Sequence, residues 1–425
     1  EMKAQGADLV VVISHGGLDA SPYTPSLENA NWHVAQVPGV DAMLIGHSHQ
    51  VFPNAASTLP QFNLPGVDKT KGLVHGVPTV MANFWGKTLG VISLGLVAKD
   101  GRWSVDKTKT VVEARSIQNA DKSFVEPLPS VAKAIAAEHD ATIKYVKTPI
   151  GRSDFPMTSY FVDVGDTSAL QIVNMAQTDY VANYVKANLP QYAALPVLST
   201  ASPFKTGFAG GADFTDVAAG DIAINNAADL YLFPNTLYAV KVTGDGLKAW
   251  LEAAARRFRQ IDPKLTTDQS LVSTAPGYTF DMITNKDFSY EIDVTQPQGS
   301  RIKNLNYKGA PVSPTAEFIV ATNNYRAGGG GNFPGLDGTK TVIASPDTNR
   351  DVLIQYIKNV KALTRKEHGS AQSWHFTKVT TAGPITFKSA QNKLPVALAA
   401  GLNNVSVFKA DDGRGLAVYQ VDLSK

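Results

Sequence analysis

Three of the eight histidines stand where chemistry could occur. His15 follows the apolar run at residues 9–14, and His47 and His49 follow the run at 41–45. Ligands of α/β sheets gather at the carboxyl ends of strands. Both histidine positions adjoin glycine, Gly16-Gly17 in one case and Gly46 in the other, and small neighbours let a metal or phosphate approach the backbone closely. A His-x-His on an extended segment would turn both imidazoles to one side, and neutral imidazole suits zinc, manganese, cobalt or iron. The pattern alone leaves two readings open: polar caps on buried strands, or a metal site.

A second set of residues could hold a planar ligand. Phe233 precedes Pro234 and is pushed towards an extended turn conformation. Tyr325 lies just before the four glycines 328–331, a run that can take positive φ and come close to a ligand. An aromatic ring on each of two loops could sandwich a base, with Asn235 and Asn324 reaching its edges, and such stacking is worth about 1–3 kcal/mol per base. The competing reading packs Phe233 in the core and makes the glycines a flexible turn. The glycine run lacks the Lys-Ser/Thr ending of a phosphate-binding Walker loop.

The elements that must position these residues follow from periodicity. Residues 8–14 form a continuous β-branched run, expected as a strand covered on both faces. Residues 27–37 can form a short helix, and strands are expected at 41–45, 79–82, 89–97 and 105–112, with a hairpin tip at 101–104. Residues 121–145 read as a helix joining two domains. Beyond it, helices are expected at 170–189, 247–258 and 351–363 and a strand at 317–322. Residues 380–425 read as a poorly periodic tail ending in a strand at 415–423. The expected domains are 1–120, a linker helix at 121–147, and 148–425.

The 425 residues suit two or three domains, and 44% apolar content excludes global disorder. A net charge of +2 gives no global field for a nucleic-acid polymer or an anionic membrane. No run of about 18 apolar residues spans a bilayer. The absence of cysteine removes disulfides, thiolate metal sites and a cysteine nucleophile.

Ser14-His15-Gly16-Gly17 and the stretch from Val37-Pro38-Gly39-Val40-Asp41 through Gly46-His47-Ser48-His49 resemble the rear metal-binding motifs of calcineurin-like phosphoesterases in the 5′-nucleotidase family, and the downstream Gly76-Val77-Pro78-Thr79 fits that family too. That resemblance implies an α/β and α+β chain: the C-terminal part of a metallophosphatase sandwich, a linker helix, and a C-terminal substrate domain. It implies two divalent metals (Mn, Co, Zn or Mg), with His15 and His47 on one and His49 helping to bind the other. It implies Phe233 and Tyr325 as the two rings of a base clamp, Asn235 and Asn324 as base contacts, and Lys205 as a basic substrate contact. The family's front motifs, with the bridging aspartate and the catalytic His/Asp pair, are not in this sequence. Residue 1 is therefore expected to be a cut inside a domain, with no catalytic residue on this chain and little activity from it alone.

Residues 226–237, 290–297, 321–327 and 419–425 are similar to a bacterial branch of the family that opens 2′,3′-cyclic nucleotides and then cleaves the 3′-monoester, in the Gram-negative periplasm. The expected partner is a small nucleotide or nucleoside. A 5′-nucleotidase or nucleotide-sugar hydrolase of the same family, or a nucleotide-binding fragment without catalysis, are the alternatives.

Overall fold

The computed structural model describes residues 1–413 and 415–425, and all but the side chain of Lys99 among them. The chain divides into two compact units, Glu1–Ala136 and Ala137–Lys425. The division falls inside the stretch expected to be one linker helix. That stretch holds two helices, Pro129–Ala134 and Ala136–Val146, and residues 121–128 are not helical. Two prolines explain the shortfall. Pro127 and Pro129 disfavour helix in the residue before each, and Leu128 is accordingly extended at φ −67°, ψ 116°.

In the first unit, β1 (Val11–Ser14) pairs in parallel with β2 (Ala42–Ile45), with α1 (Asn31–Val34) between them in the chain. Strands β3 (Val51–Phe52), β4 (Val67–Asp68), β5 (Leu73–Val74) and β6 (Val77–Ala82) complete the sheet in the order β1-β2-β6-β5-β4, with β3 also paired to β6. A long hairpin, β7 (Thr88–Lys99) and β8 (Arg102–Ser116), turns at Asp100-Gly101. Both turn residues have positive φ, 53° and 73°, as a two-residue turn matched to strand twist requires. The hairpin tip thus lies one residue earlier than the sequence suggests.

One face of the β1–β2 ladder packs on Met43, Ile45, Phe52, Phe62 and Met81. The other face bears Val11, Ile13 and Leu44, all exposed, Ile13 at 85%. The expected double cover of β1 is therefore single among the described residues.

In the second unit a five-stranded sheet runs in the order Met282–Ile283, Val197–Ala201, Glu317–Asn323, Thr236–Thr243, Thr341–Thr348. Helix Ser168–Asn188 buries Asn174 and Gln177 against it, and both amides are satisfied, Asn174 by Thr284 at 2.8 Å and Gln177 by Ser199 at 2.8 Å. The expected helix at 247–258 is the α-helix Gly244–Ala254 continued by a 3-10 turn at Ala255–Arg257.

The presumed tail is a folded layer. Ile385–Ala390, Leu416–Val421 and Val405–Lys409 form an antiparallel sheet extended in parallel by Gln269–Ser270. Phe387 and Tyr419 stack at 5.8 Å in the core, and Ser389 donates to the Tyr160 carbonyl at 2.6 Å. No helix among the described residues is long and apolar enough to cross a membrane.

Candidate active site

The first unit gathers its histidines at the carboxyl ends of β1 and β2. The parallel register Ser14↔Ile45 sets His15 beside the turn that carries His47. His15 Nε2 and His47 Nδ1 are 3.2 Å apart, with ring centroids 5.0 Å apart at 70°. Two nitrogens each about 2.0–2.1 Å from one tetrahedral zinc would lie roughly 3.3 Å from each other, so this pair has the spacing of two ligands on one ion.

His49 and His47 are not on an extended segment. Both have left-handed φ, 54° and 66°, in a tight turn where Ser48 N–H donates to the Gly46 carbonyl at 2.8 Å. Strand alternation therefore does not set where their side chains lie. The His49 ring instead stacks on Phe84, centroids 4.9 Å apart at 29°. Burial, then the positive charge of His47 and of His15, depress the His49 pKa.

Glu28 enters this site without having been anticipated. Its Oε1 lies 2.8 Å from His47 Nε2. That hydrogen bond is the main cause that raises the His47 pKa, against the opposing effect of burial. The helix expected over 27–37 shrinks to Asn31–Val34 because the residues before it bond elsewhere. Asn29 Oδ1 accepts from Gly17 N at 2.7 Å, and Asn31 Nδ2 donates to the Gly16 carbonyl at 2.6 Å. A Cβ on Gly17 would lie 2.8 Å from Asn29 Oδ1 and Ser48 Oγ, so this close packing needs glycine. Among the described residues no set of three or more His, Asp or Glu side chains encloses a metal. The donors present fit part of a ligand set: a close imidazole pair and a third imidazole nearby.

In the second unit, the antiparallel register Leu237↔Asn323 brings the segments carrying Phe233 and Tyr325 to one end of the sheet. Asn324 Oδ1 accepts from Asn235 Nδ2 at 3.3 Å and Thr236 N at 3.1 Å, tying the two segments together. Asn324 is thereby a strut as well as a candidate base contact. Asn235 Oδ1 has no hydrogen-bond donor among the described residues. The Phe233 ring stands edge-on to Phe204 at 5.0 Å, and the backbone before it is held by Arg350, which donates to the Tyr231 carbonyl at 3.1 Å.

Tyr325 sits on a single helical turn, Asn324–Ala327, whose N-cap Asn323 accepts from Arg326 N at 2.8 Å. Its ring lies so close to Gly330 that a Cβ there would come within 2.5 Å of it. The neighbouring Arg326 is buried and ion-paired to buried Asp281, Nε to Oδ2 at 2.8 Å. It also donates to the carbonyls of Tyr278, at 2.7 Å, and of Gly330. Trp250 Nε1 and Ser202 Oγ complete the shell of Asp281. A buried guanidinium that makes four hydrogen bonds thus ties down the glycine loop under Tyr325. Lys205 is ion-paired to Asp229, which cancels part of its charge towards any phosphate. Phe204, the residue before it, braces Phe233.

Comparison with known proteins gives consistent results. Residues 149–338 match the family described as 5′-nucleotidase, C-terminal domain. Over its whole length the chain is 40% identical to a Salmonella typhimurium protein and 37% identical to one from Haemophilus influenzae, both named 2′,3′-cyclic-nucleotide 2′-phosphodiesterase/3′-nucleotidase; it covers 68% and 66% of them. It is 37% identical to a Bacillus subtilis trifunctional nucleotide phosphoesterase, covering all of this chain and 29% of that one. Among solved structures, one from Staphylococcus aureus described as a 5′-nucleotidase superposes with TM-score 0.58 over 88% of this chain and 65% of that one, at 18% identity.

Proposed function

The chain belongs to the 5′-nucleotidase family, and we propose that the protein hydrolyses 2′,3′-cyclic nucleotides and 3′-nucleotides to nucleoside and phosphate. The observation that carries this reading is the match of the whole chain, at 37–40% identity, to relatives named for that reaction. The chain spans about two thirds of the length of those relatives.

On this reading His15 and His47 would hold one divalent ion and His49 would contribute to a second. Divalent ions bound there would acidify water and neutralise charge on the phosphoryl group. Phe233 and Tyr325 would hold the base between their rings, with Asn235 Oδ1 accepting from an exocyclic amine. Lys205, restrained by Asp229, would meet the phosphate only weakly. With three imidazoles and no bridging carboxylate in the set, we place the rest of the ligands and the acid–base pair outside these 425 residues. We propose a periplasmic location.

The test compares turnover of 3′-AMP and 5′-AMP, with manganese, by residues 1–425 and by the protein at the length of its relatives. The longer form should consume 3′-AMP well ahead of 5′-AMP, its activity being recovered in the osmotic-shock fraction of cells. Residues 1–425 should turn over negligibly. Preference for 5′-AMP would assign the protein to the sibling activity, and equal turnover by both forms would show the catalytic machinery to be misplaced.

A further inference from the structure

We propose that Glu28 is a positioning residue that fixes the tautomer and aim of His47. The proposal rests on the metal-site reading of His15 and His47. A carboxylate can only accept a hydrogen bond, so the 2.8 Å contact at Glu28 Oε1 puts a proton of His47 on Nε2. The lone pair is then on Nδ1, the nitrogen 3.2 Å from His15 Nε2. A metal-binding histidine commonly donates its other ring N–H to a carboxylate, which orients the ring and makes its free nitrogen a better ligand.

The carboxylate is itself placed by its neighbours. Asn29 and Asn31 clasp Gly17 N and the Gly16 carbonyl, so the backbone that carries Glu28 is bonded to the turn that follows His15. Asn31 N returns a bond to the Gly17 carbonyl at 3.2 Å, and Gly46 N donates to the Gly16 carbonyl at 3.0 Å. One short segment therefore registers both histidine turns against each other. His47, held at left-handed φ, cannot be aimed by regular strand geometry and needs such a side-chain anchor.

The experiment uses the protein at the length of its relatives, with Glu28→Ala, Glu28→Gln and His47→Ala variants. Cobalt affinity is read by competition with a chromophoric chelator. The His47 tautomer is read separately by long-range proton–nitrogen NMR, in EDTA at alkaline pH. Glu28→Ala should weaken cobalt binding by about 10- to 100-fold and turn the Nε2–H tautomer into a mixture. Glu28→Gln, whose amide oxygen still accepts the N–H, should keep the tautomer and lose less affinity. A cobalt affinity and tautomer unchanged in both Glu28 variants, with His47→Ala impaired, overturns the proposal while leaving the metal site standing. Unchanged affinity in His47→Ala overturns the metal-site reading and the proposal with it. If Glu28→Ala does not fold, Glu28→Gln decides, because an Nδ1–H form in wild type or in Glu28→Gln contradicts the assignment.

Discussion

Asp281→Ala should destabilise the second unit by about 3–5 kcal/mol, the usual cost of stripping one partner from a buried ion pair. Asp281 and Arg326 are each about 4% exposed at the side chain, so water cannot replace the lost carboxylate. The substitution would also orphan Trp250 Nε1, now bonded at 2.6 Å, and the Ser202 hydroxyl. Removing both charges together, as Asp281→Leu with Arg326→Met, should recover only part of the loss, since it removes the unpaired guanidinium but leaves Trp250 Nε1 and the Ser202 hydroxyl without their acceptor. Urea unfolding followed by tryptophan fluorescence, to which buried Trp250 and Trp374 of the second unit contribute, measures both variants. A loss under about 1 kcal/mol in Asp281→Ala would mean that this network does not hold the loop.

Phe233→Ala should lower adenosine affinity by about 1–3 kcal/mol, or 5- to 150-fold, because one face of the base loses its stacking partner. Tyr325→Ala should do the same, and Tyr325→Phe should be close to neutral because the ring carries the contact. Gly330→Ala supplies an independent check. It adds one methyl group at a position where a Cβ would lie 2.5 Å from the Tyr325 ring, so the ring must move. Its affinity should fall although no stacking atom has been deleted. Calorimetric titration of adenosine reads all four variants, and full affinity in both single alanine variants would remove the base clamp from the account.

What could be read from the sequence, and what could not, follows from where each signal lies. His15, His47 and His49 were legible because glycines and apolar runs flank them within a few residues. Glu28 was not, because its link to His47 crosses 19 residues and exists only once β1 and β2 pair. Arg326 and Asp281, 45 residues apart, are hidden for the same reason. The layer at 380–425 is hidden in the sequence because Ile385–Ala390 is buried at every residue but Lys388, leaving no alternation to detect. The turn at His47–His49 reads as extended from sequence because nothing in Gly-His-Ser-His announces positive φ at two histidines.

On the proposed function the protein is a metal-dependent hydrolase of 2′,3′-cyclic nucleotides. The most direct test follows 2′,3′-cyclic AMP by chromatography with the protein at the length of its relatives, in manganese and in EDTA. In manganese 3′-AMP should appear first and adenosine after it, and in EDTA neither should form. Undiminished conversion in EDTA, or a cyclic substrate left intact while 5′-AMP is consumed, would contradict it.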